Sequence, residues 1–101
     1  MKNKLVLVDE STGQYMWYCA GCEMVHAFWT NHNNDEGPNW SFNGDLIKPT
    51  FTPSHRVSDD RGIICHSFVT DGKVQYLNDC LHELAGQTVE MVNWEDYRKG
   101  N

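Results

Sequence analysis

Along most of this chain apolar and polar residues alternate with a period nearer two than 3.6, the pattern of half-buried strands rather than helices. Leu5-Val6-Leu7-Val8 is a short apolar run that fits a buried or edge strand. Residues 15–18 lead into Cys19-Ala20-Gly21-Cys22 and residues 24–30 lead out, so this cysteine knuckle is expected to tip a hairpin. Trp40-Ser41-Phe42 alternates into Asn43-Gly44, a two-residue hairpin signal, followed by Asp45-Leu46-Ile47. The clearest hairpin has its turn at Asp71-Gly72, between residues 63–70 and 73–77. A two-residue turn pairs 70 with 73 and therefore 66 with 77, whereas a three-residue turn pairs 65 with 79. Either register brings Cys65 and His66 close to Asp79 and Cys80 without fixing which side chains share a face.

Two prolines in Lys48-Pro49-Thr50-Phe51-Thr52-Pro53-Ser54 exclude a helix and hold the segment extended, so Ser54 is presented from a stiff support. Residues 30–39 are rich in Asn, with Gly37 and Pro38, and read as an exposed loop; residues 58–62 are polar and turn-like. Residues 79–85 offer the one short helical stretch, ended by Gly86, and residues 88–92 a final strand. Residues 94–101 are polar and expected to fray beyond Trp94. The expected fold is mainly β: a small antiparallel domain over residues 1–101 with at most one short helix.

Composition sharpens this picture. With 101 residues and 40% hydrophobic content, the core is thin and a metal staple would be useful. Eight Lys and Arg against fourteen Asp and Glu give a net charge of −6 with no basic cluster, which argues against nucleic-acid binding. Four tryptophans suit either a protein-binding surface or the filling of a thin core. The apolar run at residues 5–8 is too short for a signal peptide or a membrane span, so a reducing cytoplasm is the expected setting.

In that setting the cysteines point to metal before disulfides. The Cys19–Cys22 turn places two thiolates on one side of a knuckle, the bite of tetrahedral Zn²⁺. Cys65 and Cys80, drawn together by the hairpin, are the best-matched second half, giving a closed and therefore structural four-thiolate zinc site. His26, His66 and His82 compete as ligands. A disulfide, or free thiols buried as small core residues, are the alternatives. A redox Cys-x-x-Cys pair normally opens a helix, whereas residues 23–30 read as a strand. For nucleophilic chemistry, Ser54 needs an imidazole within about 3 Å and a third group to orient that ring. His66 is the candidate imidazole, with Asp79, His82 and Asp45 as candidate orienting groups.

Several strings together carry a resemblance: Asn43-Gly44-Asp45, residues 48–54, Cys65-His66-Ser67-Phe68-Val69-Thr70-Asp71-Gly72, and residues 79–89. They resemble a family of small phage and prophage proteins that often carry the label "ammonia monooxygenase", a label at odds with a chain lacking any membrane segment. The same pattern, a cysteine knuckle, then Pro-Thr-x-x-Pro-Ser, then Cys with a nearby His, is similar to bacterial proteins of ubiquitin-like conjugation operons regarded as serine proteases. The resemblance implies Ser54 as nucleophile and His66 as general base, with the cysteines holding zinc; of the candidate orienting groups read from the residues themselves, Asp79 is taken as the third member. This chain departs from the operon-linked form in having Cys65-His66 where that form has Cys-x-x-His, and in adding residues 79–89. Two functions follow as expectations: a zinc-stabilised serine hydrolase acting on a protein or peptide, or a non-catalytic zinc module binding a host protein.

Overall fold

A computed structural model describes residues 2–30, 39–60 and 62–98. The alternating segments form two antiparallel sheets. The first is a meander of β1 (Val6–Asp9), β2 (Gln14–Cys19) and β3 (Met24–Trp29). The second runs β4 (Ser41–Phe42), β5 (Phe51–Asp59), β6 (Gly62–Thr70), β7 (Lys73–Tyr76) and β8 (Thr88–Glu90), in that spatial order. A short helix, α1 (Trp94–Arg98), follows. None of the helices among the described residues is long and apolar enough to cross a membrane.

The inner faces of the two sheets meet in an aromatic core. Phe28 of β3 stacks on Phe51 of β5 with centroids 3.8 Å apart, and Trp17, Tyr76, Val69, Val74 and Leu5 are fully buried around them. Burying apolar side chains such as these stabilises a fold by roughly 1.5–3 kcal/mol each, so the rings compensate for the modest apolar content. The Asp71-Gly72 turn has positive φ at both residues (51° and 76°) and pairs Thr70 with Lys73, the two-residue register expected. Along β6 that register sends Cys65, Ser67 and Val69 inward and His66, Phe68 and Thr70 outward. The Cys19–Cys22 knuckle does tip the β2–β3 hairpin, pairing Cys19 with Met24.

Three local expectations are corrected. Asn43-Gly44 does not close a two-residue hairpin. The β4–β5 connection spans residues 43–50, because the Asn43 and Asp45 side chains capture the amides of Asp45, Ile47, Lys48 and Thr50 and build a wider loop. Residues 79–85 form turns rather than a helix, closed by Cys80 N–H to Leu77 O and Ala85 N–H to His82 O. Residues 94–98, expected to fray, are held by the Lys2–Asp96 ion pair, the Trp94 N–H to Asn3 O bond and the stacking of Tyr97 on Tyr18. The Asn-rich loop expected over residues 30–39 lies, at 31–38, outside the described residues.

Candidate functional site

The register between β5 and β6 slips next to Ser54. Four residues of β5, from Phe51 to His55, advance while β6 moves only two, from Val69 to Ser67, and the cis Thr52–Pro53 peptide lies in that stretch. Trp40 anchors the segment by donating its indole N–H to the Ser54 carbonyl (3.2 Å). Ser54 Oγ stands 3.0 Å from His66 Nε2. On the other side of the ring, His66 Nδ1 is 3.1 Å from Asp79 Oδ2. The imidazole is thus held between a hydroxyl and a carboxylate, with its side chain 23% exposed and that of Asp79 46% exposed. Neutral imidazole with Nδ1–H donated to Asp79 leaves Nε2 as an acceptor for the Ser54 hydroxyl. The constellation is open to solvent, and Arg56 lies directly across the ladder from His66.

One residue earlier on β6, Cys65 points the other way. Cys19, Cys22, Cys65 and His82 bring one ligand atom each within 4.8 Å of one another. Cys19 Sγ and Cys65 Sγ are 4.0 Å apart and Cys65 Sγ and His82 Nε2 3.5 Å. Tetrahedral bonds of about 2.3 Å require S···S edges near 3.8 Å, so the donors are spaced to hold a metal ion. All four cysteines are free thiols, so the disulfide alternative is not realised. Cys19 is the electrostatic centre. Hydrogen bonding from Cys65, aided by His26, Tyr76 and the Cys22 amide, pulls its thiol down to about 3 against the opposing effect of burial. Burial, followed by the charge on Cys19, pushes Cys22 up to about 11. Cys65 is raised by the bond it donates to Cys19, and Tyr76 by burial and then by its bond to Cys19. The crowded thiols therefore confine negative charge to one sulfur, and a cation at their centre would offset that repulsion.

The sequence-derived set Ser54, His66 and Asp79 is brought together. Of the four thiols expected around the metal, Cys19, Cys22 and Cys65 converge and Cys80 does not. Cys80 Sγ instead bonds the main chain of His66, at 3.2 Å from both its N and its O. The fourth donor is His82: after the turn at residues 77–80 the chain returns to β6, Leu81 N–H bonding Ile64 O at 3.0 Å, and the next residue, His82, joins the three thiols. A signal for His82 existed in the knuckle: a Cβ on Gly21 would collide with the His82 ring, so the Cys-x-Gly-Cys glycine makes room for it. His26 stays outside the cluster, packed edge-on to Trp17 and His55. Asp45 is spent on the β4–β5 loop amides and orients nothing at Ser54.

The family described as bacterial ubiquitination-like system serine protease (BubE) matches the chain over residues 1–77. That stretch contains Ser54, His66 and the three clustered cysteines, and ends before Asp79, Cys80 and His82. No curated protein and no solved structure matches the chain.

Proposed function

Since the chain belongs to the bacterial ubiquitination-like system serine protease family, we propose that it is a serine hydrolase cleaving an acyl bond, peptide or isopeptide-like, in a protein substrate. The observation that carries this reading is the 3.0 Å Ser54–His66 contact backed by Asp79. Ser54 Oγ attacks the substrate carbonyl carbon while its proton passes to His66 Nε2, giving a tetrahedral oxyanion. Asp79 keeps the Nδ1 proton in place and stabilises the imidazolium that forms. His66 then returns the proton to the leaving group as the C–N or C–O bond breaks, leaving an acyl ester on Ser54. Water, deprotonated by His66, attacks the ester and releases the acid, and Ser54 recovers its proton.

Cys19, Cys22, Cys65 and His82 would hold zinc in a closed three-sulfur, one-nitrogen site, which supplies a cross-link between the sheets and leaves no open position for water. A bacterial or phage-infected cytoplasm, where thiols remain reduced, is the setting this reading requires. The test is labelling of zinc-loaded protein with a fluorophosphonate probe. Covalent modification of Ser54, abolished in Ser54→Ala, is expected. An unlabelled folded protein whose Ser54→Ala variant still retains a stoichiometric host protein would favour the non-catalytic binding module instead.

A further inference from the structure

β7 ends at Tyr76, one residue short of the position opposite His66. Continuing the ladder from the Thr70–Lys73 and Phe68–Gln75 pairs would make His66 and Leu77 exchange both main-chain bonds. Only half of that exchange occurs: Leu77 N–H reaches His66 O at 2.9 Å. The Leu77 carbonyl is turned away to accept the Cys80 N–H at 3.2 Å, closing the turn at residues 77–80. The His66 amide, which would be orphaned, donates instead to Cys80 Sγ, and the Cys80 S–H donates to His66 O, both at 3.2 Å. Cys80 is buried, so water does not compete well for these groups.

We propose that Cys80 is a positioning residue. Its thiol replaces a missing strand partner, fixing the His66 main chain and thereby the ring between Ser54 and Asp79. This rests on the serine hydrolase reading above. The turn that diverts the Leu77 carbonyl is also the turn that delivers Asp79, so one short segment sets both the ring's support and its orienting carboxylate. A thiol suits the task because it offers one donor and one acceptor at a single atom and needs no further polar partner in an apolar setting. A metal-bound thiolate could not donate to the His66 carbonyl, so the clamp and metal ligation exclude one another at this sulfur.

The test compares zinc-loaded wild type, Cys80→Ala and Cys80→Ser for the rate of fluorophosphonate labelling and for the His66 Nδ1 proton resonance. Zinc content and melting temperature are measured alongside. Cys80→Ala is expected to keep its zinc but label at least about tenfold more slowly, because small misplacements of a catalytic group are costly. It is also expected to lose the Nδ1 proton signal, whereas Cys80→Ser, which restores a donor and an acceptor, recovers both. Equal labelling rates and an unchanged proton signal in Cys80→Ala would overturn the proposal, as would loss of zinc in that variant or a Ser variant no better than Ala. Should wild type itself fail to label, the hydrolase reading falls, and the proton signal alone decides the clamp: lost in Ala and kept in Ser supports it, any other pattern refutes it.

Discussion

On one side of β6, Cys65 faces a closed space between the sheets; on the other, His66 faces a half-open surface. The inner site gathers donors from the β2–β3 knuckle, β6 and the segment after β7, so it ties together parts of the chain far apart in sequence. The outer site takes Ser54 and His66 from neighbouring strands and Asp79 from the adjoining turn. On the proposed reading the inner cluster bears on stability and the outer constellation on chemistry, although both draw on residues 79–82. Two consecutive side chains are separated into these roles by strand alternation alone.

Four substitutions or conditions test that division. Cys65→Ala should have the largest effect: loss of the metal and of most of the folded state by circular dichroism, since structural zinc sites contribute on the order of 10 kcal/mol. Retained folding with one zinc bound would dissolve the contrast.

Acid comes next. His55, buried on the inner face beside His26 and near Cys19, is pushed down to about 4 by burial and secondarily by His26. The unfolded chain protonates it near pH 6.5, so the folded state loses stability as pH falls from about 6.5 to about 4 and loses no more from this group below that. The expected total is about 3 kcal/mol, read by denaturant unfolding at each pH and reduced in His55→Phe. A flat stability across that window would contradict the assignment.

His66→Ala should cost only about 1 kcal/mol, the worth of ordinary hydrogen bonds, while abolishing Ser54 labelling; a collapse comparable to that of Cys65→Ala would mean the two faces are not separate. Ser54→Ala should have the smallest effect on stability, within about 0.5 kcal/mol, with zinc content unchanged and labelling lost.

How far the sequence alone reaches is visible in particular residues. The Asp71-Gly72 hairpin was legible because its turn chemistry is local: two residues with positive φ fix a register that then propagates to Cys65 and His66. The pairing of Ser54 with His66 came from family resemblance; the prolines indicated only that Ser54 would be held in an extended segment. The Asn43-Gly44 dipeptide misled, because Asn43 and Asp45 bond to amides up to Thr50 and so close a longer loop.

The strand-rich architecture, the knuckle and the opposition of Cys65 to His66 are written locally in the chain, since each depends on periodicity or turn preference within a few residues. That His82 rather than Cys80 stands with the three thiols, and that the Cys80 sulfur goes to the His66 main chain, emerges only from the folded arrangement. The physical reason is the end of the β6–β7 ladder at Tyr76. Beyond it no strand period assigns side chains to faces. Their directions follow from how one turn satisfies the amide and carbonyl groups the ladder leaves behind.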